Sequence, residues 1–401
     1  MSINHLAEKY VKLVLALGKH HSSYVDAYYG PSEWLSDSIL AISDIQIDVI
    51  NLLDHLSEVS VPKGQELRVA FLEKQVKSML TFIHVIEGKA PSFDEESLAL
   101  YDAVSPHLTD HDFELILNEL SSLIPGEDDL TARVIAFNQQ FEIPKNRLND
   151  VFEAAINRSR EVTKQFISLD ENEQFKLEYV TDKVWSGYNW FKGNNFSLIQ
   201  MNTDFPIYIS RAVDLAAHEG YPGHHVFNSL MERHLVKKKG WVEYSIYPLF
   251  SPMSLLAEGT ANYGIEVVFP RKERIEFEKT ILFPLAGLNP ECAEQYYKIQ
   301  NVMQKLSYAD NMIAKQLLDG QICNEQAIKK LVKYTLVPLE KAKQRLGFIK
   351  ANRAYVVNYN LGQDLVKAYI EKHADMNNKT DIWRVFTELL STPKSASMLL
   401  T

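Results

Sequence analysis

The run YISRAVDLAAHE, residues 208–219, reads as a helix that leads straight into GYPGHH. Pro222 and Gly223 decide what the backbone can do next. Proline has no N–H to offer the carbonyl four residues earlier, that of His218, and its ring crowds that carbonyl. Glycine beside it accepts the angles a bulge needs. A regular helix therefore cannot run through this segment. Any fold the chain adopts must place a break between His218 and the pair His224, His225.

That break matters because of what the histidines could otherwise do. Residues at i and i+4 of a helix share a face, about 6 Å apart along the axis, so two histidines there can aim at one metal. His218 has Pro222 at that position. In an unbroken helix His224 would lie about 240° round the axis, and His225 would share the face about 10.5 Å away. If the two extra residues loop out, the chain re-enters the helix with His224 as the second ligand, and His225 is the alternative. Bulges of this kind recur at functional sites. The segment then reads as H-E, a two-residue insertion and a closing histidine, a variant of the H-E-x-x-H zinc pattern.

Glu219, about 100° round the helix from His218, sits beside such a metal rather than on it. A carboxylate there can take a proton from a water that the metal has acidified. A catalytic zinc usually takes three protein ligands and keeps one position open. LLAEGTANYGIEVVF downstream offers the third: Glu258 ligates, and Asn262 on the same helical face supports. Glu266 is a lesser candidate, and Glu232 and Glu243 lie in segments that read as exposed.

The rest of the chain sets the frame. Its 401 residues are 46% apolar and 23% charged, which is the soluble globular range. The net charge of -10, with acids and bases mixed, argues against a nucleic-acid backbone or an anionic membrane as partner. Two cysteines, Cys292 and Cys323, cannot make a disulfide framework. The N-terminus has the periodicity of an amphipathic helix rather than a signal peptide. No apolar run approaches the roughly 18–20 residues that span a bilayer. A cytoplasmic protein is expected.

Apolar spacing predicts helices over QELRVAFLEKQVKSMLTFIHVIEG, FELILNELSSLI and KNRLNDVFEAAINRSREVTKQFISL, and again from residue 290 to the end. Leu67, Phe71, Val76, Leu80, Ile83 and Ile86 form the expected apolar stripe of the first. PGEDD, residues 125–129, is the clearest linker, so a helical subdomain over 1–125 and a catalytic region over 126–401 are expected. FKLEYV and FSLIQMN read as short strands, with a loop or tight hairpin between them. The fold class is mainly α with one small sheet.

Residues 178–225 and the run GWVEYSIYPLFSPMSLLAEGTANYGIEVVFP strongly resemble the bacterial domain of unknown function 885 family, which is grouped with the gluzincin metallopeptidases. YNLGQDL and YVDAYYGP resemble further motifs of that family. The resemblance implies zinc at His218, His224 and Glu258, with Glu219 as general base. It also implies a zincin-like helical architecture around a deep cleft. The two-residue insertion departs from the usual gluzincin spacing.

An edge strand before the metal helix often pairs with a peptide substrate, and FSLIQMN, residues 196–202, is placed for that. Trp185, Tyr188 and Trp190 are expected to pack. ANRAYVVNYNLGQ offers donors for a tetrahedral oxyanion: Tyr359 first, then Tyr355, with Arg353 for the oxyanion or a substrate carboxylate. The expected function is zinc-dependent hydrolysis of short peptides. The alternatives are a non-catalytic metal- or peptide-binding module, and a zinc hydrolase of another ester or amide.

Overall fold

The computed structural model describes residues 1–400, most of them helical. The opening helix, Ile3–Gly18, starts where the Ser2 side chain accepts from the His5 N–H, and it buries Leu6, Tyr10, Val14 and Leu17. The predicted helix over 65–88 runs Glu66–Ile86, and Gly88 follows in the left-handed conformation at φ 75°. Its stripe differs from expectation at one end. Leu67 is exposed, and its neighbour Arg68 is buried instead, because the Glu243 carboxylate meets its guanidinium at 2.5 and 2.9 Å. PGEDD is the turn between the helices Asp110–Leu123 and Leu130–Gln139, and Asp129 caps the second.

Two hydrophobic cores organise the chain. In the first, Leu6, Tyr10 and Ile83 of the N-terminal helices pack with Ile299, Ile313, Leu331 and Ile349 from far down the sequence. The second gathers Phe152, Val213, Phe227, Phe283, Trp383 and Phe386. The helices before residue 125 thus share a core with the C-terminal third and do not close one of their own. The helix Pro252–Val268 runs between the cores, with Leu255 in the first and Leu256 and Ala257 in the second.

Among the described residues there are two small sheets rather than one. β1 (Val25–Tyr28) pairs antiparallel with β5 (Ile246–Pro248), strands of four and three residues that are too short to leave a periodicity. The other sheet holds β2 (Gln174–Val180), β3 (Gly187–Phe191) and β4 (Phe196–Asn202) in the order β2-β4-β3. β4 is parallel to β2 and antiparallel to β3. The strand FSLIQMN is therefore central, and both its edges are occupied. The edge strands are β2 and β3, and β3 is the one that lines a cavity.

Candidate metal centre

The break at Pro222 is built as a widened helix. Ile209–Leu215 is α-helical, and Ala216–Gly220 continues it as a π turn. The Tyr221 N–H reaches the Ala216 carbonyl at 3.2 Å and the Gly223 N–H reaches that of Ala217 at 2.9 Å. The Tyr221–Pro222 bond is cis, and the α-helix resumes at His224. A Cβ on residue 223 would lie 1.8 Å from the His218 carbonyl oxygen, so only glycine fits there. The extra residues are absorbed, and the Nε2 atoms of His218 and His224 come to 3.1 Å.

Glu258 meets them from the helix between the cores. Its Oε2 lies 3.3 Å from His218 Nε2 and 3.7 Å from His224 Nε2. Its Oε1 accepts a 2.7 Å hydrogen bond from the Tyr355 hydroxyl. Glu258 Oε2 is buried without a hydrogen bond. Asn262, one turn on, donates through Nδ2 to the Tyr359 carbonyl at 2.9 Å. Its Oδ1 therefore faces His218 Nδ1, at 2.9 Å, and must accept. That assigns the proton of His218 to Nδ1 and leaves a lone pair on Nε2.

The centre thus collects ring nitrogens and a carboxylate oxygen whose electron pairs converge. Their spacings of 3.1, 3.3 and 3.7 Å match the roughly 3.3 Å between neighbouring ligands of a tetrahedral zinc with bonds of about 2.0–2.1 Å. The residues present fit such an ion. Burial alone would raise the Glu258 carboxyl; the two histidine rings beside it, when they carry protons in place of an ion, outweigh burial and hold Glu258 well below the usual carboxylate range.

Glu219 stands apart from this set. Its carboxylate comes within 4.8 Å of the histidine nitrogens and lies against Gly187 at the start of β3. Both glutamates are near enough to be ligands, but Glu258 is closer and is held ionised. Burial pushes Glu219 up to about 7, against the His224 charge, and the Glu258 and Asp26 carboxylates add to the rise. A carboxyl poised there can accept and release a proton.

The other expected residues fall on either side of the cavity. Tyr355 and Tyr359 line it, with ring centroids 5.7 Å apart. Tyr355 spends its proton on Glu258, so Tyr359 is the freer donor. Arg353 is not brought to the site. It starts a short 3-10 turn at φ 52°, and its Nε donates at 2.7 Å to the buried Glu96. His225 is fully buried, and its nitrogens are engaged by Ser197 Oγ at 2.8 Å and Glu173 Oε1 at 3.0 Å, which leaves none for a shared metal. Glu232 and Glu243 are buried, not exposed: Glu232 accepts from the Asn194 and Asn195 N–H groups, and Glu243 pairs with Arg68. Glu266 is exposed and accepts from Gln363.

The cavity holds about 740 Å³, within the usual range for small-molecule sites. Its walls include Trp185, Tyr188 and Trp190, so these aromatics face the site rather than only pack. Aromatic content alone does not separate a wall from a core. The Tyr188 hydroxyl donates to Asp26 of β1, whose carboxyl burial lifts to about 6. Asp26 sits in YVDAYYGP, and a lone acid in a short strand carries no sequence signal of its own.

No family model matches the chain, and no curated protein does. Among solved structures, a candidate lipoprotein from Colwellia psychrerythraea is similar at 14% identity and a TM-score of 0.54, over 88% of this chain and 69% of its own. A candidate lipoprotein of unknown function from Shewanella oneidensis matches at 12% identity and a TM-score of 0.47, over 87% and 72%. An M32 carboxypeptidase from Deinococcus radiodurans matches at 11% identity and a TM-score of 0.41, over 99% and 95%. At these identities the first likeness concerns the fold alone. Among the described residues, no helix is long and apolar enough to cross a membrane.

Proposed function

We propose that this chain is a zinc-dependent hydrolase of short peptides, with a site of the gluzincin kind shared with the domain of unknown function 885 family. One observation carries the reading: a buried, hydrogen-bond-free Glu258 oxygen faces the Nε2 atoms of His218 and His224, and Glu219 stands beside them.

His218, His224 and Glu258 would hold the ion, which when bound would polarise a carbonyl and make water more acidic. Asn262 fixes the His218 tautomer, and Tyr355 fixes the Glu258 carboxylate. Glu219 takes the proton of the attacking water and returns it to the leaving amine. Tyr359 donates to the oxyanion. A peptide backbone pairs with the open edge of β3, whose Gly187, Tyr188, Asn189 and Trp190 line the cavity. Glu219 argues for catalysis over binding alone, since a site that only holds a metal has no use for a base beside it.

The test is a panel of short peptides and matching esters, assayed with and without chelator, on the wild type and Glu219→Gln. Chelator-sensitive peptide hydrolysis is expected, with turnover down about 100-fold or more in Glu219→Gln at unchanged zinc content. Full activity in that variant sinks the mechanism. Cleavage of esters only moves the substrate class.

A further inference from the structure

One end of the cavity is cationic and plays no part in the chemistry above. The helix Leu339–Asn352 forms a wall there, presenting Lys341, Arg345, Phe348 and Asn352 at successive turns. Arg211 faces the same space from the helix that leads to His218. Arg211 and His218 are seven residues apart, about 10 Å along that helix.

The three cations are not equally matched. Arg345 binds Asp310 at 2.7 Å and rests on the Phe348 ring. Arg211 reaches Asp214 at 3.4 Å, but Arg274 already holds Asp214 at 2.8 Å. Among the described residues, Lys341 has no carboxylate within ion-pair distance: its ammonium bonds the Gln344 amide oxygen at 2.7 Å and lies 4.4 Å from the centre of the Phe205 ring. Burial, then the Arg211 and Arg345 charges, push Lys341 down to about 8, and the nearby Asp204 charge offsets only part of this. A largely buried ammonium crowded by two guanidiniums and lacking an acid is a place for an anion to bind.

We propose that Lys341, flanked by Arg345 and Arg211, receives the free C-terminal carboxylate of the substrate. The assignment rests on the peptide-hydrolase reading and names its substrate class. An extended chain advances about 3.3–3.6 Å per residue. The roughly 10 Å along the helix from Arg211 to His218, less the reach of the arginine side chain, admits one or two residues beyond the scissile bond. The chain then removes one or two residues from a C-terminus. Arg353, expected from the sequence to bind a carboxylate, is neutralised by Glu96, and the role passes to the helix before it.

The experiment is calorimetric titration of the zinc-loaded Glu219→Gln protein with acetyl-Gly-Leu and with acetyl-Gly-leucinamide, so that binding is read without turnover. The acid is expected to bind about tenfold or more tighter than the amide. Adding Lys341→Met should abolish that preference at unchanged zinc content, and adding Lys341→Arg should keep it. Equal binding of acid and amide overturns the proposal. So does a preference that survives Lys341→Met, since the carboxylate then sits on the metal. Peptide cleavage by the wild type, assayed separately, decides the hydrolase reading whichever way the titration falls.

Discussion

His224 and His225 are adjacent in the chain and do opposite things. The ring of His224 turns to His218 and Glu258, and that of His225 turns to Ser197 and Glu173. Replacing His225 by alanine leaves Ser197 and a buried carboxylate short of partners, so stability should fall by about 2–4 kcal/mol while zinc stays near one per chain. His224→Ala should lose the zinc. Urea denaturation with elemental analysis of both variants checks the pair, and zinc lost in His225→Ala alone reverses the assignment. Glu173 gives a pH test at the same spot. Burial would raise its carboxyl, but hydrogen bonds from His225 and Tyr221, the His225 charge and Arg160 outweigh this and lower it to about 2. A depressed acid stabilises the fold fully above its ordinary value of 4.5, and that contribution fades as pH falls toward about 2. The wild type should therefore lose more stability than Glu173→Gln between pH 5 and pH 3, read as urea midpoints, and parallel profiles would refute the linkage. That His218, Glu219 and a histidine after the break would stand together was legible, because helix geometry constrains neighbours along one segment. Glu258 lies on another helix, and the family resemblance rather than geometry pointed to it. The duties of His225, Arg353 and Asp26 were not, because they depend on Glu173, Glu96 and Tyr188, partners set far from them in the chain.

Among the elements, the contact that assembles the centre is between two helices, Pro252–Val268 and Val357–His373. They cross where Gly259 faces Gly362. A Cβ on Gly259 would stand 2.4 Å from the Gly362 carbonyl oxygen, and one on Gly362 would stand 2.7 Å from that of Leu255. Backbone meets backbone there, so nothing flexible can yield. This approach sets Asn262 against the Tyr359 carbonyl and Glu258 against Tyr355. Gly362→Ala should push the helices apart, cost about 1–3 kcal/mol and weaken zinc binding about 10-fold or more, although residue 362 touches no ligand. Competition against a zinc chelator measures it, and unchanged affinity with lowered stability would confine Gly362 to packing. YNLGQDL carried this glycine in plain view, yet periodicity says nothing about which helix lies opposite. The strands teach the same lesson. Alternation located β2 and β4, but only pairing reveals that β4 is central and that β2 and β3 are the edges.

At the scale of the molecule, the centre lies on the seam between the two cores. Val213 and Val226, flanking the histidine segment, belong to one, Tyr355 belongs to the other, and the Glu258 helix contributes to both. Sequence could place the helices but not this division, because Ile83 and Ile349 share one core across more than two hundred residues of intervening chain. An ion held by His218, His224 and Glu258, as proposed, would therefore stitch the cores together, and removing it would loosen more than a local loop. Binding that favours the folded state stabilises it by about 2.7 kcal/mol when the ligand stands at 100 times its Kd. In a chain this long, that corresponds to a rise of a few degrees in Tm. Zinc-loaded protein should thus melt a few degrees above chelator-treated protein, and the gap should vanish in His218→Ala, whose two curves should both overlie that of the stripped wild type. Differential scanning calorimetry of the four samples makes the comparison. A gap that persists in His218→Ala would mean the ion binds elsewhere. No gap in the wild type, with zinc shown to be bound, would mean that its ligands sit on one rigid body and that the seam does not depend on it.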